Sequence, residues 1–103
     1  MIKIVAVISK KPELSREEFL RHWNDDHPAY VRRLPGIRRY RQNPAIDHPK
    51  SWPFDGMAEL WFDSVQDVKQ AYAGAAGADL LAHEELFLSD MQWFISEEVE
   101  IDL

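Results

Sequence analysis

Apolar residues are densest at the start of the chain, where Ile2 to Ser9 is rich in β-branched side chains. This composition predicts a strand. The even-numbered residues would form one face of the strand, while Val5 and Val7 lie on the other. Because both faces are apolar, we expect both to be covered in the folded protein.

A second pattern, with apolar residues three and four positions apart, predicts a helix after this strand. Ser15 and Glu18 form a capping-box sequence at its start, and Pro35-Gly36 ends it. Pro28 lacks a backbone donor and disfavours helical geometry at the residue before it. We therefore expect the helix to break at Pro28.

The remainder of the chain alternates between strand-like and helix-like segments. We predict a strand over residues 37–43, a loop over 44–56 and a strand over 57–63. A second helix begins at Asp63-Ser64 and is broken by Gly74 and Gly77. A short helix over 78–86 and a last strand over 92–101 complete the prediction.

The predicted element order is β-α-β-β-α-β over residues 1–103, a length that fits a single domain. Right-handed crossovers convert this order into an α+β, ferredoxin-like fold, in which a four-stranded antiparallel sheet carries both helices on one face. The other face still needs a cover, because Val5 and Val7 are apolar. In a chain this short a second copy is the natural cover, so we expect a homodimer.

Composition and charge exclude several classes of function. The net charge of −6 opposes general attraction to nucleic acid or to anionic membranes. The chain has no cysteine, which excludes disulfides, thiolate nucleophiles and cysteine metal sites. No apolar run has the roughly 20 residues of a membrane span, and the first residues lack the order of a signal peptide. We expect a cytoplasmic protein that binds neither nucleic acid nor membrane.

One face of the predicted first helix carries candidate chemistry. Its residues recur at spacings of three and four and are mostly aromatic: Phe19, Trp23, His27, Tyr30 and Leu34. A histidine on such a face is often a buried, hydrogen-bonded core residue. It is also a candidate general base, because the reference pKa of histidine, about 6.5, lies near physiological pH.

Four segments of the chain are distinctive as sequences: LSREEF (14–19), HWNDDH (22–27), VRRLPGIRRY (31–40) and DGMAELWFDS (55–64). They resemble the EthD family of the dimeric α+β barrel superfamily, which also includes muconolactone-type isomerases, polyketide cyclases and small quinone-forming monooxygenases. The family is named after a gene cluster for ethyl tert-butyl ether degradation. The resemblance covers roughly residues 2–94 and implies that two ferredoxin-like subunits form a barrel.

The resemblance also implies particular site residues. His27 matches the family's helix histidine, and Tyr40 lies where related isomerases have a pocket tyrosine. His48 corresponds to a loop histidine of the same relatives. Those isomerases carry a cysteine near the position of Leu60, and its absence here argues against their particular isomerisation.

These residues predict proton transfer on a small hydrophobic molecule. His27 would take a proton from a carbon beside a carbonyl group, in a lactone, an enone or a polyketide. Tyr40 would donate a hydrogen bond to the enolate oxygen that develops. We predict that the walls of the substrate pocket include Trp23, Tyr30, His48, Trp61 and Trp93.

The function that fits best is a cofactor-independent isomerase, cyclase or lyase in catabolism or secondary metabolism. Two alternatives stay open: a non-catalytic binding protein that assists a partner oxygenase, and a cofactor-free oxidoreductase. We expect no metal site. His22 and Asp26 share a helix face, but it is not the face of His27, and the sequence spacing gives no three-ligand group.

Two further expectations concern the surface. The loop over 44–56 holds three prolines and two apolar rings, and this predicts a mobile lid over the pocket. The dimer would be held by the apolar side chains of Val5, Val7 and Trp93. Its register would be set by ion pairs between the acidic tail of one subunit (Glu97, Glu98, Glu100, Asp102) and the basic edge of the other (Arg38, Arg39, Arg41).

Overall fold

The computed structural model describes residues 1–103 and has one four-stranded antiparallel sheet. Its strands are β1 (Ile2–Lys10), β2 (Arg39–Pro44), β3 (Gly56–Phe62) and β4 (Leu88–Glu97). They lie in the order β2-β3-β1-β4, so β2 and β4 are the edges. The predicted ferredoxin-like fold is confirmed.

Two helical segments follow β1 and β3 and lie on the same face of the sheet. The first contains α1 (Arg16–Leu20), a π-helical segment (Arg21–Asp26) and α2 (His27–Arg32), and the second contains α3 (Val65–Ala73) and α4 (Ala75–Glu84). The predicted capping box is present: the Ser15 hydroxyl accepts from the Glu18 backbone N–H at 3.1 Å, and the Glu18 carboxylate accepts from the Ser15 backbone N–H at 2.9 Å. No helix has the length and apolar character needed to cross a lipid bilayer.

The expected break at Pro28 takes another form. His27 keeps helical dihedral angles (φ −64°, ψ −34°), and its backbone N–H donates to the carbonyl of His22, five residues earlier. The wider π-helical turn immediately before Pro28 lets the chain continue as a helix in spite of the missing proline donor. Such widened turns occur often at functional sites, and this one leads directly to His27.

Two predicted boundaries in the second half are wrong. Gly77 does not break a helix but lies inside α4, and glycine is needed there since a Cβ would come within 2.6 Å of the Tyr72 Cα. The last strand runs from Leu88 to Glu97 rather than over 92–101. Its partner β1 begins at Ile2, which is opposite Glu97, so later residues have no strand to pair with.

The sheet has one covered and one open face. Ile4, Ala6 and Ile8 are buried beneath the helices, whereas Val5 and Val7 point to the open side and are only half-buried. Trp93 is opposite Ala6 and therefore lies on the helix side, which corrects its expected place beside Val5. Phe94, opposite Val5, takes that position.

Candidate active site

A cavity of about 440 Å³ lies between the helices and the covered face of the sheet. Aliphatic and aromatic side chains make up most of its lining, a composition typical of sites for small apolar ligands. Apart from tyrosines, its ionisable lining residues are His27, Lys69 and Glu84. These three side chains and the phenols of Tyr40 and Tyr72 are the lining groups that can transfer a proton.

His27 is buried, and one of its ring nitrogens meets another histidine. Its Nδ1 lies 2.8 Å from the Nδ1 of His83, which is on α4 and is also buried. A hydrogen bond at this distance needs one donor and one acceptor, so the two Nδ1 atoms share a single proton. Burial lowers the pKa of His83, and the repulsion that two positive imidazoles would have at this distance lowers it further.

The second nitrogen of His27 faces a carboxylate. Nε2 lies 3.4 Å from Oε2 of Glu84, which is mostly buried and lines the same cavity. Neither His83 nor Glu84 was among the residues predicted from the sequence. The spacing of Leu80, His83 and Phe87 contains the same signal that identified His27, a histidine within an apolar helical face.

Tyr40 lines the cavity from β2, and its hydroxyl accepts a hydrogen bond from Gln42 Nε2 at 2.7 Å. The same Nε2 donates to the backbone carbonyl of Trp23 at 2.6 Å, and the Asn24 side-chain amide donates to Oε1 of Gln42. Burial raises the pKa of Tyr40 to about 12, although the hydrogen bond from Gln42 offsets part of that rise. Tyr40 is therefore a protonated phenol at neutral pH, with its own O–H available to donate.

The structure brings together part of the predicted pocket. Trp23 and Trp93 line the cavity with His27 and Tyr40. Tyr30 is not a lining residue. Its ring stacks on His83 with the centroids 4.3 Å apart, so it supports the histidine pair from behind.

Two predicted pocket residues lie elsewhere. Trp61 points to the open face of the sheet, where Lys3 and Arg39 lie over its ring, because strand alternation turns it away from its neighbour Leu60. His48 is exposed in the loop between β2 and β3, near Trp52. The cavity has no contribution from either residue.

The predicted lid is also wrong. No residue of the loop lines the cavity, and its apolar part packs on the opposite side of the sheet beside Val7 and Met57. Asp55 fixes the end of the loop there: its carboxylate accepts from the Lys10 backbone N–H at 2.8 Å, and its own N–H donates to Ile8 at 2.9 Å.

A group of possible metal ligands lies behind the histidine pair. One donor atom each from His22, Asp26 and His83 lie within 4.8 Å of one another. Sequence spacing gave no three-ligand group, because His83 is far along the chain and reaches the other two only through the packing of α4.

Comparison with protein-family models shows the family to which the chain belongs. A model of the EthD domain matches residues 11–90, which include His27, Tyr40, His83 and Glu84. The chain belongs to the EthD family. The resemblance seen in the sequence is thereby confirmed, and no curated protein sequence matches the chain.

Solved structures share the fold of this EthD-family chain at low identity. An EthD family protein from Bacillus halodurans C-125 is 24% identical with a TM-score of 0.82, over 96% of this chain and 99% of that one. A dimeric protein of unknown function from Bacteroides fragilis NCTC 9343 is 14% identical with a TM-score of 0.72, over 94% and 95% of the two chains. SnoaB, a cofactor-independent oxygenase from Streptomyces nogalater, is 12% identical with a TM-score of 0.71, over 97% and 94%.

Proposed function

We propose that this EthD-family protein is a cofactor-independent enzyme that moves a proton on a small hydrophobic carbonyl compound, as an isomerase, cyclase or lyase. One observation carries the proposal: an imidazole, a carboxylate and a protonated phenol line a mostly apolar cavity of about 440 Å³. A base and an oxyanion donor beside the same bound molecule are what removal of a carbon-bound proton requires.

His27 is the proposed base. When the proton shared by the two Nδ1 atoms resides on His27, its Nε2 carries a free lone pair. That nitrogen accepts the proton from the carbon beside the carbonyl, and the electrons of the C–H bond form an enolate. His83 holds the ring in this tautomer and is a positioning residue.

Glu84 acts after the proton arrives. The His27 ring is then positive, and the Glu84 oxygen 3.4 Å from Nε2 becomes its counter-charge. Before the transfer the Nε2 lone pair and this oxygen do not attract each other, so the attraction develops with the transfer and favours the reaction rather than simple binding.

Tyr40 is the proposed donor to the enolate oxygen. Its pKa of about 12 keeps the hydroxyl protonated, and the bond accepted from Gln42 fixes the oxygen while leaving the proton free. Return of the proton to a different carbon gives an isomer. Attack of the enolate carbon on a second carbonyl gives a ring and an alkoxide, which takes back the proton held by His27. Both outcomes balance without an oxidant or a cofactor.

We also propose that the protein acts as a homodimer built on the open face of the sheet. Val5 and Val7 are incompletely covered there, and Phe94 is 60% exposed. Apolar surface of this kind is typical of subunit interfaces. A structural neighbour described as dimeric is consistent with this assembly.

Exchange of carbon-bound hydrogen for deuterium tests the function without knowledge of the full reaction. The protein is incubated in D₂O with a panel of small lactones, enones and fused-ring ketones, and each compound is analysed by mass spectrometry. Binding of each compound is measured in parallel by thermal shift. His48→Ala is the matched control, because His48 is a histidine outside the cavity.

The wild type and His48→Ala should accelerate exchange of a compound that they bind, whereas His27→Ala should bind it without exchange. If every bound compound keeps its hydrogens with the wild type, the protein is a binding protein and the enzyme proposal is wrong. Oxygen consumption during the incubation would instead indicate the oxidoreductase alternative.

A further inference from the structure

We propose that His22, Asp26 and His83 form a binding site for a divalent transition-metal ion, with Zn²⁺ as the representative ion. The donor atoms of the three side chains already lie within 4.8 Å of one another. Ligand bonds of about 2.0–2.2 Å require donors roughly 3–4 Å apart, so the exposed side chain of Asp26 would have to turn toward the two histidines to complete the site.

The helices place the three ligands so that they can bind one ion together. His22 and Asp26 are four residues apart on the π-helical segment, where both point toward α4 and meet His83. The ring of His22 stacks on Phe87 with the ring planes 5° apart and the centroids at 5.8 Å, which restricts its rotation. Two ligands on one helix and a third from a facing helix need no backbone movement to converge.

His83 already has the outer partner that metal-bound histidines usually have. Its Nδ1 lies 2.8 Å from His27 Nδ1, so an ion would bind Nε2, and the shared proton would then reside on the Nδ1 of His83 and be donated to His27. Such outer hydrogen bonds fix the orientation and tautomer of a ligating ring. Tyr30, stacked on the other side of the ring, limits its movement further.

The donor set determines the class of ion. Two imidazoles and one carboxylate favour Zn²⁺, Co²⁺ or Ni²⁺ over Ca²⁺ and Mg²⁺, which prefer sites made of oxygen atoms alone. Asp26 is exposed and His22 is only half-buried, so an ion can enter and a coordination position stays open to solvent. Asp26 has no lysine or arginine in ion-pair distance to compete for its carboxylate.

The site is separate from the cavity. None of its three ligands lines that space, although His83 is hydrogen-bonded to His27 and His22 stacks on Phe87, which both line it. An ion on Nε2 of His83 would keep the shared proton on His83, so ion-bound His83 and the proposed base form of His27 are alternative states. Metal binding can be measured on the protein without a substrate.

Calorimetric titration with Zn²⁺ tests the site, using the wild type, His22→Ala and Asp26→Ala. His48→Ala and Asp25→Ala are the matched controls, since each removes an exposed residue of the same type outside the group. About one ion per chain should bind to the wild type and to both controls. Loss of one ligand of three should weaken binding by at least about tenfold.

Co²⁺ gives a second measurement that needs no variant. Its absorption spectrum should show nitrogen and oxygen ligation, and the proton resonances of His22 and His83 should shift strongly in the intact protein. Absence of uptake, equal weakening in His48→Ala, or shifted resonances confined to other histidines would each overturn the site.

Discussion

The Nδ1 atoms of His27 and His83 lie 2.8 Å apart and share one proton between α2 and α4. This bond joins the first helical segment to the second at the edge of the cavity. It fixes which nitrogen of His27 is left to act on a ligand, because one Nδ1 must donate and the other must accept. The proposed base and the proposed metal ligand are therefore neighbours in one hydrogen-bonded pair.

Glu84→Gln should slow exchange of carbon-bound hydrogen while leaving ligand affinity nearly unchanged. The variant removes the negative charge 3.4 Å from His27 Nε2, and a hydrogen bond to a charged group contributes about 1.5–3 kcal/mol. We expect the rate at saturating ligand to fall roughly 10- to 100-fold.

The matched control for this variant is Glu85→Gln. Glu85 is the next residue, but it is exposed and does not line the cavity. Equal rates for Glu84→Gln and the wild type, or equal losses in the two variants, would contradict the role given to Glu84.

Stability at alkaline pH should depend on Tyr40. Its pKa is about 12 in the folded protein and about 10 when exposed, so between these values the unfolded chain loses a proton that the folded chain keeps. The free energy of unfolding should therefore fall as pH rises from 10 to 12, by up to about 2–3 kcal/mol from this group. In urea unfolding, the free energy of unfolding of Tyr40→Phe should fall between pH 10 and 12 by that much less than the free energy of the wild type. An identical pH dependence in the two proteins would refute the burial argument.

Gly56→Ala should destabilise the fold through Trp23. A Cβ at Gly56 would come within 2.7 Å of two ring atoms of Trp23, which is fully buried and lines the cavity. Overpacking of this kind costs about 1–3 kcal/mol, measurable by urea unfolding. Gly74→Ser is the control, because nothing lies within 4 Å of an added Cβ there and serine is a favourable residue at the start of α4. If Gly74→Ser lowered the free energy of unfolding by as much, the contact with Trp23 would not be the cause of the destabilisation.

Removal of residues 98–103 should weaken the proposed dimer. These residues continue beyond β4 without regular structure, and Val99 and Ile101 are 75% and 68% exposed. Arg41 is also exposed, on the edge strand β2, whereas Arg38 already pairs with Asp63. Sedimentation should give a higher dissociation constant for the truncated chain, and raising salt alone should change it little because exposed ion pairs contribute only about 0–1 kcal/mol. Equal dissociation constants would contradict the cross-subunit tail.

The sequence was informative where local patterns determine structure. The capping box at Ser15, the apolar spacing that identified His27 and the element order were enough to predict the fold. The position of β4 was not predictable in the same way, because its end is set by the first residue of β1 and not by its own composition.

Only part of the site could be predicted from the sequence, for a related reason. His27 and Tyr40 have local signals, but His83 reaches His27 across 56 positions of the chain, through packing between helices. Trp61 was misassigned because both faces of β3 contain apolar side chains, so composition alone does not reveal which face is covered.

The central claim is that His27 removes a carbon-bound proton from a ligand in the cavity. The most direct test is the rate of deuterium incorporation at saturating ligand for the wild type and for His27→Ala, with equal occupancy verified by thermal shift. Loss of a positioned general base should lower that rate by about 10²–10⁴-fold while the ligand still binds. Incorporation by His27→Ala at the wild-type rate would contradict the account.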